Sequence, residues 1–157
     1  MSGDFFRLAL VAVLGALLIV AAITDLRARI ISNRLNFAIA LLALPWWIAC
    51  GASPWPDMAV QLLAGLVVFA LFAALFAFGL MGGGDVKLLG ALALWFPWQV
   101  TLSLLVLMAM LGGLVTLVTI IHHRIAKKQG QPEIPYGVAI SVAALWVIGE
   151  RYLNQFA

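Results

Sequence analysis

The chain has 157 residues, of which 66% are hydrophobic and only 10% are charged, with a formal net charge of +3. A soluble domain keeps roughly a quarter of its residues charged. A water-facing surface is therefore excluded, and the mean hydropathy of +1.15 points to an integral membrane protein. The sequence pI of about 9.5 would suit a nucleic-acid binder, but the nine Lys and Arg residues are scattered at predicted helix ends. Membrane anchoring accounts for them, and no nucleic-acid partner is expected.

A helix needs about 20 apolar residues to span a hydrocarbon core. Apolar runs at residues 5–23, 35–49, 58–80, 86–97, 101–121 and 134–149 predict an all-α bundle of about six transmembrane helices. Nothing alternates with period two, as a transmembrane β-barrel requires. No repeat or linker intervenes, so residues 1–157 are expected to form a single domain.

The first run is longer than a signal-peptide core, and its stronger basic flank (Arg27, Arg29) follows it. It is therefore expected to be a retained helix. The second run opens at Ser32 and Asn33, either of which suits an N-cap. In the third, Ala70, Ala73, Ala74 and Ala77 predict close helix packing, as do Gly112 and Gly113 in the fifth. The fourth is only twelve residues, or roughly 18 Å at helical rise, against a core of about 30 Å. If Pro97 marks the outer boundary, Asp85 lies recessed within the cytoplasmic leaflet.

After the fifth run, His122 and His123 are adjacent and do not share a helix face, which makes them part of a basic flank rather than metal ligands. Glu133 before Pro135 reads as an interfacial charge at a helix start. The single cysteine, Cys50, excludes an internal disulfide and any zinc site built from several cysteines. It is expected to be a small buried hydrophobe. Trp46, Trp47, Trp55, Trp95 and Trp98 are predicted to form an interfacial belt on the outer side.

Sidedness follows the excess of Lys and Arg in cytoplasmic loops. Loops after the first, third and fifth helices hold Arg27, Arg29, Arg34, Lys87, Arg124, Lys127 and Lys128, whereas the other side holds Arg7 and Arg151. Both termini are thus expected outside the cytoplasm. Asp25, Asp85 and Glu133 fall on the cytoplasmic side, and Asp4, Asp57 and Glu150 do not.

Asp85 precedes "VKLLGALAL" and would serve as an N-cap. Asp25 ends an apolar helix, where the dipole disfavours a negative charge; pairing with Arg29 one turn on, or solvation, would accommodate it. Three consecutive glycines, Gly82, Gly83 and Gly84, cost more backbone entropy than a turn requires. Irregular backbone at membrane depth survives only when buried in protein or lining a wet cavity. Such a run is expected to let an extended chain approach closely. Lys87 either tunes the neighbouring acid or extends to the interface. Two carboxylates in a recessed pocket share one proton. One then draws a proton from water while the other donates to a carbonyl oxygen, which is general acid–base hydrolysis of a peptide bond.

"TDLRARIISNRL" (24–35), "GGGDVKLL" (82–89) and "IPYGVAI" (134–140) resemble, in order, the signature regions of the type IV prepilin peptidases, membrane aspartic peptidases of the GxGD class. The resemblance covers nearly the whole chain. It implies that Asp25 and Asp85 are the catalytic pair and that Gly82, Gly83, Gly84 and Lys87 form the substrate-facing loop. It also implies cleavage of a basic prepilin leader at the cytoplasmic face of the bacterial inner membrane, without metal or organic cofactor. Ser32 stands where relatives often carry proline. Longer members have a cysteine-rich zinc region and also methylate the new N-terminus; with that region lacking, methyl transfer is expected to be absent. The shortness resembles the tight-adherence pilus branch, with preflagellin peptidases similar too. A small transporter or channel using its intramembrane acids, or a non-catalytic assembly subunit, are the readings from other classes.

Overall fold

The computed structural model describes residues 2–126 and 134–153. Lys127, Lys128 and Glu133 lie outside the described residues. Six α-helices follow one another: α1 (Ser2–Ala28), α2 (Asn33–Ala49), α3 (Ala59–Ala77), α4 (Gly83–Ala93), α5 (Trp98–Ile125) and α6 (Tyr136–Ile148). A wide turn at Pro54–Met58 leads into α3, and another, Gly149–Leu153, follows α6.

The all-α bundle is as expected, but its helices are not six equal spans. Among the described residues only three, Gly3–Ala28, Pro54–Ala77 and Trp98–Ile125, are long and apolar enough to cross a membrane. At helical rise α2, α4 and α6, with 17, 11 and 13 residues, reach roughly 26, 16 and 20 Å. The long helices carry the lipid-facing surface, where Leu63, Leu66, Val106, Met110 and Leu114 are exposed. No soluble surface tolerates so continuous an apolar patch. The chain is a multipass membrane protein.

The short α4 is the centre of the bundle. It packs against α2, α3, α5 and α6, and Asp85, Val86 and every residue from Leu88 to Ala93 are buried. Its contact with α3 depends on glycine. A Cβ on Gly90 would lie 3.1 Å from Phe69, and one on Gly65 would collide with Leu94. Of the alanine stripe expected, Ala73 packs against the core, whereas Ala70, Ala74 and Ala77 are exposed. Gly112, by contrast, does face Tyr136 and Ala139 of α6.

Three of the tryptophans expected at the interface belong to the core instead. Trp46, Trp47 and Trp95 are buried, with Trp46 and Trp95 stacked at 5.6 Å between ring centroids. Their polar edges are used internally: Trp47 Nε1 donates to Leu94 O at 2.7 Å and Trp95 Nε1 to Ile39 O at 2.8 Å. A buried indole N–H needs such a partner, and carbonyls at the C-terminal end of α4 and within α2 supply them. Trp55 and Trp98 remain exposed. Cys50 is exposed as well, at the C-terminal end of α2; the chain turns away there through Gly51, whose φ is +73°.

Candidate active site

The first apolar helix does not stop near Ile23. It continues through Asp25 to Ala28 and ends where Arg29 takes a left-handed φ of 56°, a conformation costly for a residue with a Cβ. Asp25 is therefore one turn inside the helix end and turned into the protein, 5% exposed. Val138 N–H donates to its Oδ2 at 3.1 Å, and the Gly137 backbone acts on it more weakly. The carboxylate thus satisfies one of the orphan amides that open α6, where the helix dipole favours negative charge.

The glycine run differs from expectation in an instructive way. Only Gly82 is non-helical, as the N-cap of α4; Gly83 and Gly84 are already in its first turn. First-turn amides have no intrahelical partner to lose, so glycine is tolerated there, and close contacts explain its use. A Cβ on Gly84 would lie 3.2 Å from Ile31 Cβ and Ile31 O, and one on Gly83 3.2 Å from Phe76. The missing side chains are filled by neighbours rather than left as an open strip of backbone.

Asp85 is not the N-cap but the third helical residue, 8% exposed. Its carboxylate reaches back to the Gly82 backbone, the reach-back half of a capping box. A Cβ on Gly82 would sit 2.8 Å from Asp85 Oδ2. Asp25 and Asp85 lie close enough to interact electrostatically. Ile31 joins their surroundings, touching Gly84 on one side and Gly137 on the other. One end of the bundle therefore gathers the two buried acids, the starts of α2, α4 and α6, and no ion-paired cation among the described residues. Arg29 acts on Asp25 only at longer range.

Lys87 sits on a different face of α4 from Asp85, and its Nζ donates to Asn33 Oδ1 at 2.7 Å. Ser32 is the α2 N-cap, accepting from Leu35 N–H at 3.2 Å. Among the described residues no cluster of His, Cys, Asp or Glu has the makings of a metal site; His122 and His123 lie in the last turn of α5.

Two participants escaped sequence reasoning. Gly137 lies against the Asp25 carboxyl, and the signal for it was a glycine directly after "PY" at a helix start, with no turn to make. Asn36, buried within α2, donates from Nδ2 to Gly84 O at 3.0 Å. A polar residue in an apolar run was its only signal.

Two buried, amide-held carboxylates at one end of a membrane helix bundle are placed to exchange protons with each other or with a bound group. The type IV leader peptidase family matches residues 12–117, and the chain belongs to that family. It is 30% identical over 145 residues to a prepilin leader peptidase/N-methyltransferase of Bacillus subtilis, covering 90% of this chain and 56% of that protein. Proteins of the same name from Aeromonas salmonicida and Pectobacterium carotovorum are 29% and 27% identical, covering 83% and 85% of this chain and 45% and 48% of theirs. The chain thus spans about half the length of the curated relatives it matches. No solved structure matches it significantly.

Proposed function

We propose that the chain is a membrane aspartic endopeptidase that removes the basic leader from tight-adherence-type prepilins at the cytoplasmic face of the bacterial inner membrane, with both termini on the opposite side. The observation that carries this reading is the meeting of buried Asp25 and Asp85 at a single end of the bundle. The name shared by the matched relatives, prepilin leader peptidase/N-methyltransferase, supports prepilins as the substrate class.

In this mechanism the pair holds one proton between them, and titration belongs to the pair rather than to either residue. The ionised carboxylate takes a proton from water as its oxygen attacks the scissile carbonyl. The protonated carboxyl donates to the carbonyl oxygen, giving a tetrahedral diol. Collapse breaks the C–N bond, the amine leaves with a proton from the pair, and the shared proton is restored. Val138 and Gly137 orient Asp25, while Gly82 orients Asp85. The N-termini of α4 and α6 stabilise negative charge developing between them.

Co-expression with a prepilin and separation of precursor from mature pilin by mass tests the proposal. Wild type shortens the precursor, and Asp25→Asn or Asp85→Asn each lowers the rate by about 10²–10⁴-fold, the usual worth of a general acid or base, at unchanged membrane level. Processing by either variant at the wild-type rate would exclude the dyad.

A further inference from the structure

Among the described residues, two concavities differ in the charges that line them. At the end of the bundle away from the dyad, a cavity of about 380 Å³ is lined by Arg7 and Arg151 but also by Asp4 and Asp57. Its charges balance. The second is a groove of about 710 Å³ between α2, α3 and α4 with walls including Ala40, Leu66, Gly90 and Leu94. Its polar side chains are Asn33, Arg34, Asn36 and Lys87, all from the starts of α2 and α4, and no acid lines it. The Lys87 ammonium is pre-positioned there by Asn33 Oδ1 at 2.7 Å.

We propose that this groove binds an anionic phospholipid, with one acyl chain along α3 and α4 and the phosphate at Arg34 and Lys87. The apolar wall selects a hydrocarbon chain. The unbalanced cations at its cytoplasmic mouth select a headgroup with net negative charge. This site needs neither peptidase chemistry nor substrate.

Native mass spectrometry of protein released from nanodiscs of equal phosphatidylglycerol and phosphatidylcholine tests it. Wild type is expected to retain phosphatidylglycerol severalfold over phosphatidylcholine. Arg34→Gln is expected to abolish that preference, and Ala40→Trp to reduce retention of both lipids by filling the groove. Equal retention of the two lipids by wild type, or an unchanged preference in Arg34→Gln, overturns the proposal. Should Ala40→Trp fold poorly, a photoactivatable phosphatidylglycerol on wild type replaces it: labelling on α5 but not on α2, α3 or α4 is equally fatal.

A separate observation concerns Asn36, and the inference from it rests on the proposed peptidase reading. Its Nδ2 holds Gly84 O, while its Oδ1 is buried without a hydrogen-bond partner in the protein. The net gain from one such bond is smaller than the cost of burying a polar atom unpaired. Stability alone therefore does not account for an amide here. We infer that Asn36 is a positioning residue: by fixing the Gly84 carbonyl it sets the first turn of α4 and with it Asp85. Asn36→Leu is expected to keep or raise the melting temperature while lowering kcat at least tenfold with KM little changed, and Asn36→Gln to recover part of the loss. A melting temperature that falls together with activity, or a change confined to KM, overturns the inference. Absence of cleavage by wild type would instead overturn the peptidase reading itself.

Discussion

Replacing Gly137 by alanine asks whether the placement of Asp25 governs the chemistry. The new Cβ would lie 2.6 Å from Ile31 Cδ1 and 2.9 Å from both Cγ and Oδ2 of Asp25, where ordinary contact begins at 3.4 Å. Ile31 can swing its terminal methyl aside. Asp25 can retreat only by straining its 3.1 Å bond from Val138. Two energies oppose each other in the fold: alanine gains roughly 0.5–1 kcal/mol over glycine within a helix, and overpacking costs about 1–3. The net loss is at most about 2.5 kcal/mol, and the protein stands. Catalysis is less forgiving, since displacing a reacting group by about 1 Å costs on the order of 10²-fold. A carboxylate pushed by roughly half that distance should lower kcat about tenfold. The assay is prepilin cleavage in detergent, with kcat and KM separated and melting temperature followed in parallel. Gly113→Ala is the control, because nothing lies within 4 Å of its Cβ. If Gly137→Ala cleaves as fast as wild type while remaining folded, Asp25 is not held where the mechanism needs it.

Other outcomes follow from individual contacts. The pH profile of kcat/KM should be bell-shaped, because one carboxyl must be ionised and one protonated; a profile with one limb across the acid range would remove the shared proton. Ser32→Ala removes the α2 cap and should cost about 0.5–2 kcal/mol, read by denaturant titration in detergent. Trp95→Phe keeps a ring against Trp46 but removes the indole bond to Ile39 O, with an expected loss of about 0.5–1.5 kcal/mol in the same titration. Gly90→Leu drives a side chain into Phe69 and should lower the melting temperature, by about 1–3 kcal/mol of overpacking; an unchanged melting temperature would show that α3 and α4 do not need their close approach.

The parts of the fold that were legible follow from hydropathy and helix signals. Ser32 could be read as a cap because its side chain and position suffice, with no tertiary partner involved. The membrane class and the existence of six helices were legible for the same local reason. Which helices cross the membrane was not, because burial replaces length: α4 has so much protein around it that eleven residues serve. The tryptophan belt failed through a related ambiguity. An indole suits an interface and a core equally well, and only the carbonyls of Leu94 and Ile39 decide. At the site, Asp25 and Asp85 were visible as acids in apolar surroundings. Their partners were not, since Gly137 and Val138 lie more than a hundred residues from Asp25, and backbone amides leave no mark in a sequence.

The absence of an ion-paired cation beside the aspartates among the described residues has a chemical logic. A carboxylate buried in a greasy bundle must be compensated, and a lysine or arginine salt bridge is the obvious means. A cation held in contact with both acids would favour ionisation of both, and an enzyme of this kind would then have a base but no acid. Helix starts supply partial charges instead. The N-cap of α4 and the first turn of α6 offer amides to Asp85 and Asp25, and α2 begins beside them at Ser32. Amide donors orient each carboxylate and soften its burial, and in the proposed mechanism they leave the pair its single proton. α4 and α6 are then explained by where they begin rather than by what they span: each starts where a carboxylate is met.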